Sequence, residues 1–277
     1  MFAMTQGQPQ GRPTSVPDRL IVTVAAAVWI AGTLVGMGWV GQAPDAAQGE
    51  GLFSDHATLL APYRPAFSIW PVIYVFLAGY VVWQWLPVAA RSRWAAATRW
   101  PAAASLALNG LWLVVVYQGW IGGSVVVMAA LLVSLGVLVL RLDALPPEGW
   151  SSQVFLGATF GLYLGWICVA TGANIESWLA ALGVAQGGGP ATALAAGIIA
   201  LVVVIALALL RRTPHPVTRW AFVAAVVWGL AWVAVGRLRG ILVNGVVSVV
   251  AVIAAVMVVV MAAAVRADRT PTPQPRS

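Results

Sequence analysis

Lysine is missing from this chain, cysteine occurs once, and histidine only at His56 and His215. A lone Cys168 builds neither a disulfide framework nor a thiolate metal site. His56 is a candidate haem or metal ligand in a polar loop, where simple solvation competes as an account. His215, flanked by Pro214 and Pro216 and close to Arg211 and Arg212, reads as a turn residue. Acidic residues are also scarce: Asp18, Asp45, Glu50, Asp55, Asp143, Glu148, Glu176 and Asp268 all fall in expected loops, tails or helix ends. Ion-driven pumps and proton relays use ionisable groups inside the membrane, so their absence from the span interiors argues against that class. The sequence also lacks a glycine-rich phosphate loop, a carboxylate pair and a metal-ligand cluster. No catalytic residue, metal or cofactor is therefore expected, and the chain reads as a non-enzyme.

Charged residues make up 8% of the chain and hydrophobic ones 61%, too few and too many to cover a water-soluble surface. In lipid, backbone polar groups must be satisfied within the segment, which favours helices of about 20 apolar residues. Runs of that kind lie near 20–41, 66–87, 101–118, 121–141, 152–174, 189–210, 217–236 and 241–264. The expected fold is an all-α integral membrane protein with about eight transmembrane helices. The first run exceeds the roughly 7–15 apolar residues of a signal peptide, favouring a retained helix, although Gly41-Gln42-Ala43 offers a cleavage-like sequence. The tightest turns are expected at Gly119–Gly123 and at Gly236-Arg237-Leu238-Arg239-Gly240.

Every basic residue is an arginine, and together they outnumber the acids, for a net charge of +7. With no basic, aromatic-interleaved soluble segment, nucleic acid is excluded as a partner, and the arginines read as topology signals. On the side of the N-terminus fall Arg12, Arg19, Arg91, Arg93, Arg99, Arg141, Arg211, Arg212, Arg219, Arg266, Arg269 and Arg276, against Arg64, Arg237 and Arg239 opposite. This 12 to 3 division predicts a multi-pass protein of the cell membrane with both termini cytoplasmic. The longest external loop, about 42–65, is then a candidate lid, or else a solvated connector.

Tryptophan occurs 15 times. Trp39, Trp85, Trp94, Trp100, Trp120, Trp150, Trp178 and Trp220 lie near expected helix ends, where indole suits the membrane interface. Trp29, Trp112, Trp166, Trp228 and Trp232 lie deeper, and a buried indole N–H needs a partner. Helical spacing places Trp70 with Tyr74, Asn109 with Trp112, and Trp166 with Ala170 and Asn174 on shared faces. At about 1.5 Å per residue, Trp70, Tyr74, Trp112, Trp166 and Thr171 fall roughly 5–12 Å below the external surface, with Asn109 deeper. Inward-facing, they would form an aromatic pocket for a flat apolar ligand; the competing account is helix packing with interhelical hydrogen bonds.

The segments FSIWPVIY (67–74), ALNGLW (107–112) and GLYLGWICVATGAN (161–174) resemble the tryptophan-rich sensory protein family, also called TspO or translocator protein. The resemblance implies a five-helix domain over 20–180; the three additional helices over 181–265 have no counterpart in the five-helix family, and disordered cytoplasmic tails are expected at 1–19 and 266–277. It also implies a ligand site made of Pro65, Phe67, Trp70, Tyr74, Asn109, Trp112, Trp166, Ala170, Thr171 and Asn174, with Pro65 and Phe67 on the closing segment. The expected partners are the lipid bilayer and a hydrophobic small molecule such as a porphyrin or haem, and the resemblance allows a homodimer. The sterol-linked pattern of the family is absent, since no tyrosine follows Tyr163. A binding or sensory protein is the leading reading. A permease for an apolar or amphipathic solute, with Gly110, Gly161, Gly165 and Gly172 as places for helices to slide, is the alternative, and tetrapyrrole oxidation by tryptophan redox chemistry a further one.

Overall fold

The computed structural model describes residues 15–40, 51, 54 and 56–267, except the side chains of 266 and 267. Asp45, Glu50 and Asp55 of the expected lid, the Gly41-Gln42-Ala43 sequence, and tail residues 1–14 and 268–277 lie outside the described residues. Eight helices are long and apolar enough to cross a membrane, and no strand occurs among the described residues. They are α1 (Val16–Gly36), α2 (Ile69–Trp83, entered through a 3-10 turn, Arg64–Ser68), α3 (Arg93–Tyr117), α4 (Ile121–Asp143), α5 (Trp150–Ala181), α6 (Gly188–Leu210), α7 (Pro216–Arg239) and α8 (Gly245–Ala267).

Local chemistry moves several helix ends away from the hydropathy runs. Helix α1 starts at Val16 rather than Leu20 because Ser15 and Asp18 form a capping box: the Ser15 N–H and hydroxyl both donate to Asp18 Oδ2, at 3.0 and 2.5 Å. Asp18 also pairs with Arg99 of α3. Helix α3 begins well before residue 101, since Ser92 Oγ caps the Ala95 N–H at 2.9 Å. Glu148 reinforces this end by accepting from Ser92 Oγ and from the Arg93 and Trp94 N–H groups. Helix α7 runs through the expected turn at 236–240, with Gly236 and Arg237 buried in its last turns. Between α3 and α4, Gly119 takes φ 70°, the left-handed conformation that ends α3 and allows α4 to start two residues later.

Pro101 inside α3 has no N–H for the carbonyl four residues before it. Arg141 of α4 supplies the missing donor, with Nη1 3.1 Å from Ala97 O, while Ser134 Oγ donates to Pro101 O at 2.9 Å. A polar defect that hydrocarbon could not solvate is thus closed by the neighbouring helix.

Helix α5 is the centre of the molecule and the most buried of the spans. On one side α4 and α2 pack against it, with α3 against α4 and α1 outside them on α3 and α2; on the other, α7 and α6 do, with α8 outside them, and a single continuous apolar core joins both groups. Close approach is made by glycines. Gly157, Gly161 and Gly165 repeat every fourth residue along α5, and a Cβ added at Gly161 or Gly165 would lie 2.4 Å from Thr218 O or 2.3 Å from Phe222 O of α7. Gly32 of α1 and Gly110 of α3 make a second backbone-to-backbone crossing. These small-residue stripes drive helix association where lipid removes the hydrophobic incentive. The start of α5, Gln153–Ala158, is wound as a π-helix and packs on α2 and α7.

The tryptophans divide largely as their positions along the helices suggest, with two corrections, one of them Trp228, grouped with the deeper indoles yet exposed at 37%. Trp39, Trp85, Trp100, Trp120, Trp150, Trp178 and Trp220 are exposed near helix ends, but Trp94 is fully buried. Its Nε1–H donates to Pro146 O at 3.0 Å and its ring lies 4.8 Å from that of His215. His215 is a buried turn residue whose Nε2 faces the Leu142 and Leu145 carbonyls, so it ties the α4–α5 connection to the start of α7.

Candidate functional site

At the end of the bundle opposite Ser15, the aromatic residues of α2, α3 and α5 converge. Trp70 stands at the second position of α2 and packs against four other rings. It stacks on Trp112 of α3 at 5.9 Å and 27°, and meets Trp166 edge-on at 6.0 Å, Tyr163 at 6.3 Å and Tyr74 at 5.4 Å. Phe67, on the 3-10 turn, contacts Trp166 edge-on at 6.1 Å. Such pairs gain from the opposite charge of ring edge and face as well as from buried area.

The rings wall a cavity of about 70 Å3, lined by Ala61, Pro62, Phe67, Trp70, Trp112, Val116, Trp166, Ala170, Ala173, Asn174 and Ser177. Among the described residues no charged one lines it. Asn174 is its main polar group: Oδ1 accepts from Trp112 Nε1 at 3.2 Å and from Ser124 Oγ at 3.0 Å, and Nδ2 donates to Ala170 O at 2.9 Å. The buried Trp166 Nε1–H has no hydrogen-bond partner among the described residues.

Of the residues singled out in the sequence, Phe67, Trp70, Trp112, Trp166, Ala170 and Asn174 line this cavity. Tyr74 and Asn109 lie a layer deeper, where Tyr74 Oη donates to Asn109 Oδ1 at 3.2 Å. Thr171 lies off the cavity, its hydroxyl donating back to Ile167 O at 2.7 Å. Pro65 lines a separate outer cleft with His56, Tyr63, Arg64, Arg239, Gly240 and Ile241. Among the described residues no cluster of three His, Cys, Asp or Glu is placed to hold a metal. Val116, Ala173 and Ser177 were not anticipated, yet spacing carries them: Val116 follows Trp112 by four, and Ala173 and Ser177 follow Ala170 by three and seven.

The mouth is held shut by residues from the far half of the molecule. Trp228 of α7 donates its Nε1–H to Ala66 O at 2.9 Å, the Tyr63 N–H donates to Trp232 O at 3.2 Å, and the Tyr63 ring packs 6.1 Å from that of Trp232. Below the preceding loop lies a buried pair of charges. Glu176 of α5 accepts the Leu60 N–H, and Arg237 of α7 donates Nη1 to Thr58 O at 2.9 Å, with the guanidinium acting electrostatically on the carboxylate. Both side chains are essentially without solvent exposure, at 1% and 0%. Glu176, placed among the loops, tails and helix ends, is buried beneath the loop, and Arg237 is a helix residue rather than a turn residue.

Comparison with curated proteins and with solved structures returns no match. A family model described as TSPO-like protein matches residues 21–264, from the second turn of α1 into the last turns of α8. The match therefore takes in the aromatic cage, the segment that closes it and the α7 residues that hold that segment, and the chain belongs to the TSPO-like protein family.

Proposed function

We propose that this protein is a binding or sensory protein of the cell membrane, its termini cytoplasmic, whose aromatic cage takes a hydrophobic, flat aromatic ligand such as a porphyrin or haem. The arginine distribution supports that orientation. The observation that carries the ligand reading is the cage itself: Trp70, Trp112, Trp166 and Phe67 around an uncharged void, with a buried Trp166 N–H left without an acceptor. An unsatisfied buried donor costs about 1–3 kcal/mol, and a ligand acceptor would recover it.

The void of about 70 Å3 is well below the roughly 300–1,000 Å3 of small-molecule sites. A tetrapyrrole therefore requires the mouth to open, and Phe67, 39% exposed on a short 3-10 turn, is the ring whose displacement enlarges the cavity with least disturbance of the helices. The closed packing is then the unliganded member of a two-state equilibrium. Titrating purified protein with protoporphyrin IX and with haem, following tryptophan quenching, tests the reading against a Trp112→Phe/Trp166→Phe variant. Saturable quenching weakened in the variant supports it. No saturable binding, or equal binding by both proteins, refutes it and brings the permease reading forward.

A further inference from the structure

Three turns on the face where α1 begins are tied into one platform. Glu148, from the α4–α5 connection, accepts from Ser92 Oγ and from the Arg93 and Trp94 N–H groups of the α2–α3 turn. Trp94 Nε1 donates to Pro146 O of the same connection, and His215 of the α6–α7 turn faces Leu142 O and Leu145 O. The charges of this platform are sorted. Among the described residues its acids are turned inward: Asp18 pairs with Arg99, Glu148 caps α3, and the Asp143 carboxylate oxygens are buried. Arg91, Arg93, Arg141, Arg211 and Arg212 stay exposed, and the guanidiniums of Arg91, Arg93, Arg211 and Arg212 have no hydrogen-bond or ion-pair partner among the described residues. The sequence beyond these helix ends, residues 1–14 and 268–277, adds Asp268 as its one acid, against Arg12, Arg269 and Arg276.

Setting the orientation of a membrane protein requires only that arginines be more numerous on one side. It asks neither that the acids be withdrawn nor that the arginines stand in pairs on turns fixed to one another. Trp85, Trp100, Trp150 and Trp220 are exposed at the helix ends around the platform, where indole meets lipid headgroups. Leu86 and Val88, exposed on the same turn as Arg91 and Arg93, add an apolar face beside the charge. Guanidiniums at that level meet lipid phosphates, which they grip with parallel donors. We infer that this platform binds the headgroups of anionic phospholipid, gripped by Arg91 with Arg93 on one turn and by Arg211 with Arg212 on another.

The platform lies at the opposite end of the bundle from the cage and stands or falls independently of the ligand proposed there. Native mass spectrometry of the detergent-solubilised protein, offered phosphatidylglycerol and phosphatidylcholine with the same acyl chains in equal amounts, counts the lipid retained. A basic side chain at an anionic surface is worth about fivefold in affinity, so a pair on one headgroup gives phosphatidylglycerol roughly a 20-fold advantage. The wild type should show a preference of that order, Arg91→Gln/Arg93→Gln and Arg211→Gln/Arg212→Gln should each retain less phosphatidylglycerol, and the two pairs combined should abolish the preference. Arg64→Gln/Arg239→Gln, on the opposite face, should keep it in full. Raising the ammonium acetate concentration severalfold should weaken the preference of the wild type, a measurement that needs no variant to fold. Equal retention of the two lipids by the wild type overturns the inference, as does a wild-type preference insensitive to salt or one that survives the combined substitutions. Loss of the preference in Arg64→Gln/Arg239→Gln overturns its assignment to this platform.

Discussion

Removing the guanidinium of Arg237 should cost more stability than almost any other single change in this protein. Arg237→Met fills similar volume with an apolar chain but leaves the Glu176 carboxylate buried without its cation, and deprives Thr58 O of its donor. Leaving a buried polar group without its partner typically costs about 1–3 kcal/mol, more for a charged one, which at 2–4 °C per kcal/mol lowers the unfolding midpoint by roughly 5 °C. Glu176→Gln added to Arg237→Met removes the stranded charge while an amide oxygen still accepts the Leu60 N–H. The double variant should therefore be more stable than Arg237→Met alone, a non-additivity that only coupled residues produce. The assay is thermal unfolding in detergent at a fixed scan rate, since such transitions are often irreversible. An Arg237→Met midpoint within about 2 °C of wild type, or a double variant less stable than the single, would refute the clasp.

Gly161→Ala forces a Cβ to within 2.4 Å of the Thr218 carbonyl and should destabilise by about 1–3 kcal/mol, whereas Gly136→Ala on α4, with nothing within 4 Å, should leave the midpoint unchanged or raise it; the same scan reads both. Asn174→Leu strands the Trp112 donor, while Ser124 keeps the Ile121 carbonyl, and a loss of about 1–3 kcal/mol together with a shift in tryptophan emission would mark it. Trp228→Phe removes the bond to Ala66 O, so hydrogen exchange of residues 63–67 should accelerate while that of α3 stays as in wild type.

Eight spans were legible because lipid imposes one pattern, the long uncharged run, on every crossing segment. Their ends were less so. The start of α1 at Val16 depends on a capping box, and that of α3 on Glu148, nearly sixty residues from Ser92, which no local window weighs. Helical spacing identified the rings of the cage but not their depth: Tyr74 shares a face with Trp70 yet lies a turn below the cavity, and Thr171, next to Ala170, lies off the cavity. Glu176 was placed at a helix end and Arg237 in a turn, and neither position told of burial. Their burial follows from the loop at 58–61 folding over both, a tertiary event without a sequence signature.

The bonds from α7 to the closing segment give the second half of the chain a share in whatever the cage does. Moving Ala66 and Tyr63 aside requires letting go of Trp228 and Trp232, so under the proposed function the free energy of occupancy would be linked to the position of α7, and by reciprocity displacing α7 would change affinity in the cage. Helix α7 begins at Pro216, next to His215 on the opposite face of the bundle. A single helix thus has one end at the mouth and the other on the face of the bundle where α1 begins.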